Sequence, residues 1–465
     1  MSFVRHSVAM RRRAAMPRTV IPCTAMLPAV RITVATLLLL LLGATRASAQ
    51  PGLAVAAPDT VRLTLDRVRQ LVLTSDPGYL AAREETAIAR GALRQASILP
   101  FNPDLSLAAP GTGPTAPRNP LEVTLSQEIE WAGQRGLRRR AANAALTGAR
   151  ASVGNSARER FAEASGGFFA AEASARRLDV MRASAELGRR LLEAVHLQLR
   201  EGEISALEAN LAEIEAGRAQ ARVISEQRLL VARQVELKRA LGLSPDAVVM
   251  IEPSTTDADS IAPSLPDSLV SAAIVQRADI RALDALVGET VLRAQFARRE
   301  ALPNLRLGLY VEQMPGEAGL RYGPSIGFGI PLWNRNQGTT DMLTARRRQV
   351  EQERRAAVLR ARAEIVAAAN NYAGAASEVA VYARTVLQPA RTNSALLETA
   401  YRAGKLPLPT LLLLRNQLLD AELGYWDAWL TRQRARIDLE SALGGRPVDD
   451  ADVQPLSTTS QDPRR

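Results

Sequence analysis

The chain reads as a mainly α protein with a small β part: long antiparallel coiled-coil helices and four amphipathic strands, arranged as one unit written twice. Three observations lead there. Residues 121–244 contain no proline, four short stretches alternate apolar and polar residues, and matching words recur at an offset of about 202 residues.

The helices come first. From about 134 to 199 the text is rich in Ala, Arg, Glu and Leu, all good helix formers. At 1.5 Å per residue this segment would span roughly 100 Å, and the return segment 205–243 roughly 58 Å. Helices of that length need partners, because an isolated one buries nothing. Ile204, Leu207, Leu211 and Ile214 follow the alternating spacing of a coiled-coil seam, and Ala206, Ala209, Ala212, Ala216 and Ala219 would let neighbours approach closely. Gly202 and Gly404 are natural reversal points between antiparallel helices. Leu80–Ser97 is expected to add a helix before the strands.

The strands alternate with period two. Leu121, Val123 and Leu125 point one way, with Glu122, Thr124 and Ser126 the other. Leu305, Leu307, Leu309 and Val311 do the same against Arg306, Gly308, Tyr310 and Glu312, as do Ile326, Phe328 and Ile330 against their small neighbours. Such a pattern suits a half-buried soluble sheet or the wall of a membrane barrel. Each run is close to the length that crosses a bilayer at a tilt. Trp131 and Trp333 follow the second strand of each half, where an interfacial aromatic belt would lie; two tryptophans packed at a sheet–helix corner is the other reading. Four strands cannot close a barrel, and an open edge cannot face lipid. A membrane-spanning sheet would therefore draw strands from several chains, three of them giving twelve.

The repeat aligns Trp131-Ala132-Gly133-Gln134-Arg135-Gly136 with Trp333-Asn334-Arg335-Asn336-Gln337-Gly338. At the same offset Arg200-Glu201-Gly202 aligns with Arg402-Ala403-Gly404, and Ala240-Leu241-Gly242 with Ala442-Leu443-Gly444. Upstream, Pro103–Leu107 matches Pro303–Leu307 after a two-residue indel. The expected organisation is a first repeat at 62–245, a linker at 246–265, a second repeat at 266–445 and a disordered tail at 446–465.

The N-terminus reads as a secretory signal at 1–49 followed by a linker at 50–61. Arg31 precedes the apolar run 32–44, and Ala47-Ser48-Ala49 supplies an A-x-A site with cleavage expected before Gln50; Met26 is an alternative start. The run is shorter than the roughly 20 residues of a transmembrane helix.

Composition narrows the chemistry. The 465 residues are 47% hydrophobic and 23% charged, enough for a core, but only 4% aromatic. The formal charge of +11 falls to +4 once the seven arginines of the acid-free segment 1–49 are set aside, a weak case for nucleic acid. His6, His196 and Cys23 are the chain's whole stock of histidine and cysteine. Nucleophilic triads, disulfides and His/Cys metal sites lack raw material, and there is no phosphate-binding glycine loop. No enzyme activity, cofactor or metal site is expected.

With these features assembled, the chain resembles TolC-type outer-membrane efflux factors over nearly all of residues 62–445. Leu387-Gln388-Pro389-Ala390 and Tyr401-Arg402-Ala403-Gly404-Lys405 carry the likeness in the second half. The corner Ile330-Pro331-Leu332-Trp333-Asn334-Arg335-Asn336-Gln337-Gly338 is similar to that of the heavy-metal (CzcC-like) branch, with Gln127–Arg135 as its first-half counterpart. The resemblance implies a homotrimer with a twelve-stranded outer-membrane β-barrel continued by a helical tunnel in the periplasm. It implies tips at Arg200, Gly202, Glu203, Ile204 and Ser205, and at Arg402, Gly404, Lys405 and Leu406. These would dock a periplasmic adaptor (membrane fusion protein) linked to an inner-membrane pump of the RND type. The implied function is a passive exit duct for metal ions or small toxic molecules.

The family's tip often carries acids just after the reversal. The matching positions here hold Glu208 and Leu211, then Thr410 and Leu413, so the expected gate is mainly apolar, around Leu406, Leu408 and Leu411. Pro407 and Pro409 should delay the last helix to Leu408 or later, and Pro389 should bend the one before it. Arg138–Arg140 and Arg346–Arg348 occupy matching places after the corners, as solvated or interhelical charges or facing lipid phosphates. The alternative is a periplasmic coiled-coil scaffold that never enters the membrane.

Overall fold

The computed structural model describes residues 61–108, 121–253, 266–314 and 318–445. The expected signal segment, the C-terminal tail and most of both linkers lie outside the described residues.

In chain order the elements are β1 (Val61–Leu63), α1 (Leu65–Ser75), α2 (Pro77–Ser97), β2 (Asp104–Ala108), β3 (Leu121–Ile129), α3 (Gln134–Arg200) and α4 (Ala206–Ala240). There follow β4 (Val249–Ile251), α5 (Asp267–Gln276), α6 (Ala278–Glu300), β5 (Leu305–Gln313), β6 (Arg321–Phe328), α7 (Gln337–Val381), α8 (Gln388–Arg402) and α9 (Leu408–Ala442). A π-helical segment, Tyr382–Leu387, separates α7 from α8.

The long helix is continuous. α3 runs for 67 residues, roughly 100 Å at the α-helical rise. Its middle forms the main core: Ala164, Phe168, Phe169 and Ala171 pack against Val68 and Val72 of α1, Leu237 of α4 and Trp429 of α9. Edge-to-face contacts run from Phe168 through Phe169 and Trp429 to Trp426, with ring centroids 5.3–5.8 Å apart. β1 and β4 close this region as a parallel pair, Val61 opposite Val249. Neither that pair nor the aromatic chain is visible in the sequence periodicity, since both join residues far apart in the chain.

Two polar contacts tie the helical layers together. Glu226 is buried on α4 and accepts from Ser174 at 2.5 Å, with Arg177 at 3.5 Å. Arg415 of α9 donates to the Ser184 carbonyl, and burial pushes its pKa down.

The coiled-coil expectation needs one correction. Ala209 and Ala212 take the contact inside the chain, whereas Leu207 is 69% exposed and Leu211 and Ile214 also face outward. Alanine permits close approach of α3 and α4, which leaves the larger side chains on the outer face of the pair.

The prolines act as their chemistry demands. Pro407 is the N-cap of α9 and Pro409 lies in its first turn, so the helix starts at Leu408. Pro389 has no N–H for the helical bond to residue 385, and the π-helical segment sits immediately upstream.

The second sheet has the order β2-β3-β5-β6, antiparallel throughout. Each strand continues into a helix or out of one, and α2, α3, α6 and α7 neighbour one another in the order of their strands. No helix among the described residues is long and apolar enough to cross a membrane.

Candidate functional site: a two-faced sheet and two helical tips

Register sorts the sheet into two faces. Leu105, Leu125, Leu309 and Pro324 lie opposite one another in one row, and Leu107, Val123, Val311 and Tyr322 in the next. Ile129, Leu305 and Phe328 form a third row. The other face carries Ser106, Thr124, Tyr310 and Gly323, then Asp104, Ser126, Gly308 and Ser325.

The apolar rows are the exposed ones. On β3, Leu121, Val123 and Leu125 are exposed while Glu122, Thr124 and Ser126 are half-buried. Leu105 of β2 is 70% exposed and Tyr322 of β6 79%. A soluble antiparallel sheet buries its apolar face and solvates the polar one; on β3 that order is reversed, while β2 and most of β6 are exposed on both faces. Strands β2 and β6 have no outer partner among the described residues, so both edges keep unpaired backbone groups.

Below the polar face the strands meet the helices at a hydrogen-bonded corner. Arg138 forks onto both oxygens of Glu130 at 2.6 and 3.2 Å. Asn304 donates to Glu128 at 2.8 Å, and Gln134, 1% exposed, donates to the Asn304 side chain at 3.4 Å. Asn336 takes a left-handed conformation, φ 57°, and donates to Ala297 O and Glu300 at 2.9 and 3.1 Å. Its first-half counterpart is Gly133, φ 80°, one residue off the constant offset. The space bounded by these groups and by Phe296 and Phe328 is about 930 Å³.

Trp131 and Trp333 flank this corner. Trp131 is 61% exposed and its indole N–H donates to Pro303 O at 2.8 Å; Trp333 is 85% exposed. Neither ring is packed into the corner.

The tips are two copies of one turn. Gly202, φ 74°, donates to Leu199 O at 3.2 Å while Glu203 donates to Gln198 O at 2.9 Å. Gly404, φ 66°, donates to Tyr401 O at 2.9 Å while Lys405 donates to Ala400 O at 2.9 Å. Both are Schellman endings, which glycine allows because they need a left-handed residue. The caps that follow differ. Ser205 and Glu208 form a capping box, whereas Pro407 caps with no side-chain bond.

Of the expected tip residues, Arg200, Gly202, Glu203, Ser205, Arg402, Gly404 and Lys405 are exposed, while Ile204 and Leu406 pack partly inward. Arg402 pairs with Glu398 on its own helix. The expected gate differs in the fold. Leu408 and Leu411 are buried with Val195, Ala209 and Ala212 in the protomer's own tip cluster, so they cannot line an opening. Glu208 is occupied by Ser205, and Thr410 is exposed.

Gln134, Asn304 and Asn336 stand within the corner motifs, and their amide side chains at a strand–helix junction are the sequence signal of this network. His196 is exposed, and among the described residues no group of three His, Cys, Asp or Glu stands close enough to hold a metal.

Residues 269–445 match the family model described as outer membrane efflux protein. Among solved structures the chain is similar to CusC, with a TM-score of 0.70 at 18% identity, covering 83% of this chain and 93% of that one. The channel VceC of Vibrio cholerae gives 0.66 at 16% identity, covering 82% and 96%. The MtrE outer membrane channel of Neisseria gonorrhoeae gives 0.65 at 17%, covering 82% and 89%. No curated protein matches. The fold of these channels is thus shared over most of the chain, and the outer membrane efflux protein model is matched over residues 269–445.

Proposed function

We propose that this chain, a TolC-type outer-membrane efflux factor by its fold and its second half, is the passive exit duct of a tripartite efflux system. The observation that carries the reading is the exposed apolar side of the four-stranded sheet, sharpest on β3, where the apolar residues are exposed and the polar ones half-buried. Rows of exposed apolar side chains, interrupted on this face by Gln127 beside Leu307 and Ile326, are unfavourable in water and favourable against lipid.

Closure follows from the edges. Four strands with two open edges cannot stand in hydrocarbon, so three copies would join β2 to β6 into a twelve-stranded barrel. The outward Leu207, Leu211 and Ile214 supply an apolar stripe for the same association below the membrane. The polar face, with Thr124, Ser126, Tyr310 and Glu312, then lines the lumen, and Trp131 and Trp333 stand at the lipid–water boundary.

The exposed tips are the docking surface for a periplasmic adaptor coupled to an RND-type inner-membrane pump. Constriction there falls to exposed side chains such as Thr410 and Leu413. Duplication of repeats 62–245 and 266–445 is supported by identical Schellman turns at Gly202 and Gly404, and again at Gly242 and Gly444. Metal ions or small toxic molecules would be selected upstream, by the pump, and a cleaved signal segment would deliver the chain.

The test is the native mass of the protein extracted from outer-membrane fractions in mild detergent. A trimer beginning at Gln50 is expected. A monomer or dimer recovered without detergent would overturn the duct and favour the periplasmic scaffold.

A further inference from the structure

The helices next to the sheet carry arginines on both sides, but those on one side are paired: Arg138 with Glu130 and Arg293 with Glu289. A groove of about 590 Å³ runs across α2, α3, α6 and α7, lined by Ala92, Ala96, Ala142, Phe296 and Met342. It shares Pro100, Arg138, Phe296 and Glu300 with the larger space under the polar face of the sheet. The groove therefore marks the polar, lumenal side of the helical layer.

Arg94, Arg140 and Arg298 lie on three successive helices of that layer, and each sits midway between two groove-lining residues. Arg94 falls between Ala92 and Ala96, Arg140 between Arg138 and Ala142, and Arg298 between Phe296 and Glu300. Two residues along an α-helix is a rotation of about 200°, so all three point away from the groove. That is the side continuous with the apolar strand rows. All three are exposed, and no hydrogen bond or ion pair engages them among the described residues. Arg139 stands beside Arg140 in the same condition. Glu130 and Glu300, the acids nearest the corner, are held on the groove side by Arg138 and Asn336.

Depth agrees with charge. Counted from the helix ends nearest the sheet, Arg298, Arg94 and Arg140 lie roughly 3, 5 and 9 Å down their helices. A bilayer's headgroup layer is on the order of 5–8 Å thick on each side of the hydrocarbon. The three guanidiniums thus stand where phosphates begin if the apolar rows occupy the hydrocarbon.

We infer that Arg94, Arg140 and Arg298, with Arg139, form a binding band for the phosphate headgroups of anionic phospholipid in the leaflet adjoining the helices. The inference rests on the membrane reading of the sheet. Guanidinium forks suit phosphate oxygens, and unpaired charges beside an apolar wall gain most from a headgroup anchored at that depth.

The test is native mass spectrometry of the detergent-extracted full chain mixed with phosphatidylglycerol, phosphatidylcholine or inorganic phosphate. The variants are Arg94→Gln/Arg140→Gln/Arg298→Gln and a control, Arg182→Gln/Arg228→Gln/Arg360→Gln, which removes three exposed arginines elsewhere. The wild type and the control should hold phosphatidylglycerol, and the band variant should hold it roughly a hundredfold more weakly, with phosphatidylcholine unchanged. Equal retention by all three proteins overturns the inference. So does displacement of the lipid by millimolar phosphate, which would mean a free-anion site. Circular dichroism and the subunit mass check folding and assembly of each variant. A soluble monomer would sink the duct reading on its own, and lipid retention is scored separately.

Discussion

The hydroxyl of Tyr401 donates to the side-chain carbonyl of Gln198 at 3.1 Å, joining the last turns of two helices that end in the same reversal. This bond ties the two tips of one protomer together. Burial, then the nearby Glu208 carboxylate, raises the Tyr401 pKa above its usual value. A raised pKa means that this contribution is fully present below about pH 10 and is lost as pH rises through the shifted value. Tyr401→Phe should loosen the tips by about 0.5–1.5 kcal/mol. Hydrogen exchange should quicken at 195–206 and 398–408, and unchanged protection would remove this role.

Gly242 and Gly404 both have positive φ, 65° and 66°, in Schellman turns at different places in the two repeats, and their surroundings differ. A methyl on Gly242 would overlap the Ser75 carbonyl, whose carbon lies 2.8 Å from the Cβ position, whereas Gly404 faces open space. Gly404→Ala should cost about 1–2 kcal/mol from backbone strain alone. Gly242→Ala should cost clearly more, because backbone must move as well. Thermal unfolding of the two variants in one detergent measures the difference.

Arg277 is 3% exposed and donates to Ala442 O at 3.0 Å, pairing also with Asp279 at 2.7 Å and Glu364 at 2.9 Å. It joins the start of α6 to the end of α9. Arg277→Met should destabilise by about 3–5 kcal/mol, since it strands Asp279 and a buried carbonyl. Burial acts to raise the Asp279 pKa, but Arg277 outweighs it and the net shift is downward. Its contribution is therefore present above the unfolded value, about 3.9, and is lost as pH falls through the lowered folded value. Acid unfolding of the wild type should show this loss, and the Met variant should not.

The two faces of the sheet should respond oppositely to charge. Leu309→Arg places a guanidinium in the middle of an apolar row and should cost about 2–4 kcal/mol per chain in a bilayer. Thr124→Arg, one residue from Leu125 but on the other face, should assemble normally and change conductance in planar bilayers. Recovery of trimer from outer-membrane fractions compares the two, and equal recovery would argue against a lipid-facing row.

Much of the fold was legible because it is local. The disturbance of the helix at Pro389, expected as a bend and found as a π-helical segment just upstream, the start of α9 at Leu408 and the reversals at Gly202 and Gly404 follow from backbone geometry that a few adjacent residues impose. The tips were readable for the same reason. The gate was not: Leu408 and Leu411 look like any apolar pair just after a turn, and their burial depends on Val195 and Ala209, which approach from other helices.

By itself, then, the sequence determined where helices and strands run, where they turn, and which side chains share a face of each strand, since period and turn chemistry are properties of neighbouring residues. The tertiary structure alone decided which face looks outward. It assigned the α3–α4 contact to alanines instead of leucines, paired β1 with β4, and gathered Gln134, Asn304 and Asn336 into one corner. Those outcomes depend on what stands opposite a residue after the chain has returned from a hundred or more positions away, and close packing, not periodicity, makes that choice.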